Sequence, residues 1–227
     1  MYKKILSIDT SCNHISIAIL YNHHFDEEIA ICNNNHEKKI LKILHIILKR
    51  NKIRIKNFEI IAFSNGPGNF TSIRLAAGIT QGLSIPYNTP IIGISTLKVL
   101  AEQAWRIKKI KKVIVCFATN NNNFYYWAKY KKNSMNMWVG KNTESMIHIN
   151  KIYQKINYLT ELWYIIGLNM DIFKKIKNNF LKFIDITIPY ARDLISLTLM
   201  SKNIKNHKLQ KIHVNYLNTP KYRKSIN

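Results

Sequence analysis

Acidic side chains are scarce. The 227-residue chain has 12 Asp and Glu against 35 Lys and Arg, a formal charge of +23. An excess of that size points to a polyanionic partner, either RNA or an acidic membrane surface. The lysines are nevertheless spread through nearly every segment among abundant Ile and Asn, which is more the mark of a general compositional drift toward Lys than of a dedicated nucleic-acid patch. Cysteine is scarce too. Cys12, Cys32 and Cys116 form no CxxC pair and leave one thiol over in any pairing, which excludes a disulfide scaffold, disfavours a thiolate metal site and fits a reducing cytosol. Long apolar runs are missing: none approaches the ~18 residues of a membrane span, and the amino-terminal MYKKILSIDT is broken by Asp9 well short of a signal peptide. No membrane partner and a cytoplasmic location are expected. Glycine numbers only seven, and four of the seven fall in one stretch, NGPGNFTSIRLAAGITQGLS, from Asn65 to Ser84.

What is present is 47% hydrophobic, enough for a real core. Residues 3–9, 15–21 and 25–32 read as strands, the last two joined across Asn22, His23 and His24 as a hairpin. A helix over His36–Arg50, a buried strand at 59–64, the glycine-bearing loop and helix, a strand at 90–95 and a helix over Thr96–Arg106 complete a βββαβαβα half. The second half starts again at 111–118. FYYWAKYKK and MNMWVG follow as a hairpin with Asn-rich turns, then a mixed segment to about 160, a strand at 162–167, a helix near 169–177, a strand KFIDI and a helix over 190–202. The expectation is an α/β protein of two duplicated lobes, 1–106 and 107–227, with helix 190–202 a candidate to pack back on the first lobe and a solvated basic tail at 219–227.

Gly66-Pro67-Gly68 lies between a strand and a helix, where glycine permits a tight turn and the helix start, at Phe70 and Thr71, offers unpaired N–H groups to an anion. The Lys-Ser or Lys-Thr of a P-loop is missing, and a helix cap at Asn69 or Thr71 accounts for the loop nearly as well. Gly78 and Gly82 are more demanding, since each costs roughly 1 kcal/mol inside a helix. With Arg74 they stand at i, i+4 and i+8 on one face, amid Ile73, Ala76, Ala77, Ile79 and Leu83, a shape that lets another helix come close. That helix could come from this chain or from a partner. The helix before it spreads its apolar residues over about 220° of its circumference, more than one core requires. Coverage on two sides, as half of an intermolecular four-helix contact, and deep burial inside the chain both fit that breadth.

Five segments, ILSIDTS at 5–11, NGPGNFTSIRLAAGITQGL at 65–83, PIIGISTL at 90–97, EQAW at 102–105 and YYWAKY at 125–130, together resemble the bacterial TsaB (YeaZ) family; beyond residue 130 only VNYL at 214–217 is similar. The resemblance implies the actin, sugar-kinase and Hsp70-like fold. It implies a non-catalytic partner of the TsaD-like subunit that transfers threonylcarbamoyl to adenosine 37 of tRNAs reading codons that begin with A. A TsaE-like ATPase could join, tRNA would enter through the complex, and ATP or ADP could sit at the partner interface, with no cofactor held by this chain alone. The implied association surface, used also for homodimers, is the two helices 36–50 and 71–85, with His36, Ile40, Leu41, Leu44, Leu48, Ile73, Arg74, Gly78 and Gly82 as interface residues.

Asp9, Thr10 and Ser11 match the first phosphate loop of that fold, whose carboxylate serves a nucleotide-bound magnesium. The second lobe lacks the counterpart: Ala118, Thr119 and Asn120 stand where active relatives place an Asp, and Gly167 is all that remains of a glycine-rich adenosine turn. The loop therefore reads as vestigial and Asp9 as a structuring residue, with no catalytic residue in the chain. His36 and His45 are nine residues apart, which a regular helix cannot bring onto one metal ion; His23 and His24 read as solvated turn residues. FYYWAKYKK interleaves aromatic and basic residues, as RNA-stacking surfaces do, but period-two alternation makes a structural strand the simpler account. Two other functions stand behind the scaffold reading: a nucleotide-dependent phosphotransferase and a basic tRNA-binding module.

Overall fold

A computed structural model of the chain describes residues 3–32, 35–119, 121, 123–167, 173, 176–201 and 213–217. The helix expected near 169–177 lies mostly outside the described residues, as do Asn120, residue 202 and the basic tail over 219–227.

Strand β1 (Lys4–Asp9) pairs antiparallel with β2 (His14–Tyr21), with Asp9 opposite Ser16. β2 pairs with β3 (His24–Ile31) across a turn in which Asn22 and His23 take φ of 48° and 72°. Positive φ at both central residues is what a tight hairpin of native twist demands, and it returns His24, expected in the turn, to the strand. β4 (Ile60–Ser64) and β5 (Ile91–Ile94) add in parallel, giving the order β3-β2-β1-β4-β5. β1, β2 and β4 are buried almost end to end because helices cover both faces of this sheet.

Period-two alternation sorts the sheet's side chains. Leu6, Ile8, Ile15, Ile17, Ile19, Ile61 and Phe63 share a core with Ile40, Ile43, Leu44 and Ile47 of α1 (His36–Arg50) and with Ala76 and Ala77 of α2 (Phe70–Ser84). The opposite face carries Ile5, Ala18 and Ile60, packed against Ala191 and Ile195 of α5 (Ala191–Met200). Hydroxyls pin this last helix: Ser7 Oγ donates to the Ala191 carbonyl at 2.8 Å, the Ala191 N–H donates to Ser16 Oγ at 2.8 Å, and the Arg192 N–H reaches Glu27 Oε1 at 3.2 Å. Small residues on that face, Ser7, Ser16 and Ala18, are what allow the helix to sit so near the strands.

The chain divides into two compact units, 1–103 with 188–215, and 104–187 with 216–227. The first unit thus takes in a C-terminal helix that a division at residue 106 would leave in the second. Helix α3 (Thr96–Lys108) runs from the first unit into the second.

The second sheet holds β6 (Lys112–Ala118), β7 (Phe124–Lys132), β8 (Trp138–Val139), β9 (Ser145–His148), β10 (Trp163–Ile166) and β11 (Leu181–Phe183), in the order β11-β10-β6-β7-β8 with β9 also on β7. β6 is antiparallel to β7 and parallel to β10, which is parallel to β11. This is the strand path of β1 with β2, β4 and β5, so the duplication is carried by topology where the residues have diverged. The mixed segment up to 160 resolves into β9 and α4 (Ile149–Asn157), whose Ile152 and Ile156 join Tyr125, Trp127, Trp163 and Phe173 in a second core.

On the rim of the first unit Arg50 makes a forked contact with Asp26, at 2.8 and 2.9 Å, and a 2.8 Å contact with Glu28. Burial tends to raise the Asp26 pKa, but the hydrogen bonds from Asn51 and Arg50 win and hold it below the ordinary carboxylate value. A depressed folded pKa stabilises above the unfolded value and is lost as pH falls through the folded one. Arg50→Ala is expected to cost no more than about 1 kcal/mol at neutral pH, and the wild-type advantage should fade in acid denaturation curves below about pH 4.

Candidate functional site

The phosphate-type loop that follows β1 is closed on itself. Asp9 is fully buried; its Oδ1 accepts from the Ser11 N–H at 3.0 Å and from Ser11 Oγ at 2.9 Å, and its Oδ2 accepts from Ser64 Oγ on β4. His14 Nε2 stands 3.7 Å from Oδ1 but donates to the Pro189 carbonyl at 2.6 Å. Thr10 Oγ1 donates to the Ser72 carbonyl of α2 at 2.6 Å. The Asn69 N–H in turn donates to the Ser11 carbonyl at 2.8 Å, so the loop is tied to the start of α2 from both sides. Both carboxylate oxygens of Asp9 and the Thr10 hydroxyl already serve the fold.

The glycine loop meets the same surface. Gly66 sits at φ +104°, the left-handed region open to glycine, with its carbonyl accepting from the Thr96 N–H at 2.9 Å. A Cβ on Gly68 would fall 2.4 Å from the Ser11 carbonyl oxygen, so this glycine exists to let two loops touch. Pro67 is buried and follows a cis peptide bond. Asn69 caps α2, its side chain accepting from the Ser72 N–H at 3.2 Å; Thr71 is exposed and does not cap. Around the loop, Asn65 Oδ1, Ser95 Oγ and Thr96 Oγ1 are buried with no partner among the described residues.

The residues expected on an association surface separate by burial. Ile40, Leu44 and Ile73 are core residues of the first unit, and His36 is buried as well. Its Nε2 is 2.9 Å from the Cys12 carbonyl and its Nδ1 is 3.4 Å from Ser72 Oγ, which corrects the reading of His36 as a contact residue: it fastens α1 to the phosphate-type loop and to α2. Periodicity alone cannot separate an inward helical face from an outward one, and these four face inward. Leu41, 58% exposed, with Ile46, Arg74, Gly78 and Gly82, forms the outward set, and Leu48 is half-buried. The Arg74 guanidinium lies 3.3 Å from the Phe70 ring centroid, both side chains on the exposed side of α2. A Cβ at Gly78 or Gly82 would meet nothing within 4 Å. Beyond the helix end, Ile85 and Tyr87 add exposed apolar surface.

Three residues that organise the site escaped the motif reading: Cys12, His14 and Ser64. Ser64 ends a buried apolar strand, and nothing in the spacing of hydroxyls marks it as the Asp9 partner. The Cys12 thiol is pushed up to about 12, first by burial and then by Asp9, so it stays protonated and is no nucleophile. No helix among the described residues is long and apolar enough to cross a membrane.

A family model described as "TsaD: tRNA N6-adenosine threonylcarbamoyltransferase" matches residues 29–219. The chain is similar to the tRNA threonylcarbamoyladenosine biosynthesis protein TsaB of Buchnera aphidicola subsp. Schizaphis graminum, 41% identical over 204 residues that cover 88% of this chain and 95% of the relative. Against the protein of the same name from Buchnera aphidicola subsp. Baizongia pistaciae it is 34% identical over 223 residues, 95% of this chain and 99% of the relative. The Escherichia coli protein TsaB is 29% identical over 164 residues, 72% and 71% of the two chains. Among solved structures, a Pseudomonas aeruginosa protein described as similar to peptidase YeaZ superposes with a TM-score of 0.82 at 21% identity, over 95% of this chain and all of that one. The two-lobed α/β fold is thus shared with proteins of that kind.

Proposed function

The chain belongs to the TsaB (YeaZ) family, and from that premise we propose that it serves tRNA threonylcarbamoyladenosine synthesis as a non-catalytic subunit of a TsaD-like transferase. The observation that carries this reading is the outer face of α2. Two helical glycines there face open space on the same side as Arg74, and α1 leaves Leu41 and Ile46 exposed. Nothing among the described residues offsets their cost in helix stability, whereas a partner helix approaching at backbone distance would. The heterodimer forms on this face, and a homodimer forms on the same face when the partner is missing. A TsaE-like ATPase and the tRNA join through the complex in the cytoplasm. Threonylcarbamoyl transfer to adenosine 37 belongs to the partner, as does any ATP or ADP at their interface.

Co-expression with the TsaD-like subunit of the same source is expected to give one peak on gel filtration and to stimulate threonylcarbamoyl transfer to tRNA. Two separate peaks with no stimulation would overturn the proposal. A phosphotransferase is the less favoured reading because the Asp9 oxygens are already engaged by Ser11 and Ser64. Calorimetric titration of the chain alone with Mg-ATP should therefore give no binding heat.

A further inference from the structure

One end of the second sheet, where β6 begins and β7 finishes, gathers lysines around indole rings. Of the four tryptophans, three have lysine ammonium groups over them. Nζ of Lys109, Lys111 and Lys132 lie 5.3, 5.8 and 4.9 Å from the Trp105 ring centroid. Lys132 is also 4.9 Å from Trp138, but it is buried and its Nζ donates to the Asn136 carbonyl at 3.0 Å, so it braces the rings from within; Lys129 is 4.1 Å from Trp163. The pleat sorts them into two sets that meet at the end of the sheet: Lys129 and Lys131, with Lys112 opposite Lys131, lie on one face, and Lys132 lies on the other, its N–H donating to the Lys111 carbonyl at 2.9 Å. Two carboxylates lie close by: Glu144, which accepts from the Tyr130 hydroxyl beside Trp138, and Glu161. Glu161 binds Lys112 at 2.5 Å and has Lys131 and Lys129 close by, so three cations surround one anion. Lys109 and Lys111 have no carboxylate partner among the described residues.

Compositional drift scatters lysines onto flexible, solvated stems. Here Lys109, Lys111 and Lys129 are held near ring faces, which limits their motion and gathers like charge at one end of the sheet, an arrangement that favours a polyanion. The rings are not free platforms for bases. Trp138 and Trp163 are buried and Trp105 is half-buried, with their faces taken by lysines. Ammonium groups without accessible rings suit phosphate oxygens rather than base edges. We propose that this edge of the second unit is a binding surface for the phosphate backbone of RNA, engaging tRNA without reading its sequence.

The surface is independent of the helix pair, so it can be tested on the full chain without any partner. Affinity for an unmodified tRNA transcript is measured by fluorescence anisotropy at several salt concentrations. For the triple variant Lys109→Ala, Lys111→Ala, Lys131→Ala, all at exposed positions, the slope of log K against log salt should become shallower by about 2 to 3, with at least a roughly tenfold loss of affinity at about 0.1 M salt. The corresponding arginine triple should keep the wild-type slope, which separates lost charge from lost folding. A control triple with equal charge loss elsewhere, Lys3→Ala, Lys56→Ala, Lys182→Ala, should shift the slope by less than about 1. Equal losses in both alanine triples would mean diffuse attraction and overturn the proposal, as would binding to phosphatidylserine vesicles with none to tRNA. A failed heterodimer would leave these expectations untouched, so the two readings fail separately.

Discussion

Alanine at Gly78 and Gly82 is expected to raise the stability of the isolated chain by up to about 1 kcal/mol per site, while tryptophan at the same sites leaves the fold intact and weakens the TsaD-like partner's binding about 100-fold or more. The first half of that expectation rests on open space: a Cβ at either glycine meets no atom within 4 Å, and both positions lie inside α2. An added methyl therefore restricts the unfolded chain and improves helix propensity at no steric cost. For a protein of this size each kcal/mol should appear as roughly 2–4 °C in Tm. The second half rests on the partner needing the same space. An indole standing out from the middle of the face would hold a docking helix away from its neighbours along the whole contact, and a loss that began at two residues would spread to Arg74. Thermal unfolding and a partner titration check the two halves separately. Tryptophan variants that bind with wild-type affinity would remove the outer face of α2 from the association surface.

Much of this could be read in the residues, and what could not has physical reasons. The first sheet was legible because its strands are buried runs of isoleucine bounded by Asn, Gly and Pro, and because its helices carry strong 3.6-residue periodicity. The second sheet's strand path repeats the first, but β8 and β9 span only two and four residues and give periodicity too little length to act on. Helix 190–202 was visible as a helix, yet its place on the first sheet depends on Ser7 and Ser16 presenting hydroxyls to Ala191 across more than 170 positions of sequence. No local pattern encodes that. The family likeness, quoted from residues 1–130 and one short remnant, extends over 223 residues in alignment, so the second half retains a relationship that short motifs no longer display. In the site, the breadth of the apolar arc on α1 was correctly legible, but which part of it faces the sheet was not. His36 shows why: a histidine at a helix start reads as surface, and only the fold reveals the Cys12 carbonyl and Ser72 hydroxyl waiting for it.

Removing the carboxylate of Asp9 should be among the most damaging single changes in the first unit, with Asp9→Ala destabilising by about 3–5 kcal/mol, a large share of a typical domain's 5–15 kcal/mol. Three donors, the Ser11 N–H, Ser11 Oγ and Ser64 Oγ, would be left buried without an acceptor, and each such group costs about 1–3 kcal/mol. Those costs are not additive, because serine hydroxyls can turn toward other acceptors, which is why the total stays below the sum. Asp9→Asn keeps one acceptor oxygen and nearly the same volume, and should lose only about 1–2 kcal/mol. The contrast between the two variants also decides what the loop is for. If Asp9 structures the turn, the Asp9→Asn variant should fold, associate with the partner and stimulate transfer in proportion to the fraction folded. If it serves a nucleotide-bound metal, the same variant would match the wild type in chemical denaturation yet lose magnesium-dependent nucleotide affinity. That second pattern would return the loop to phosphate chemistry, and with it the phosphotransferase reading.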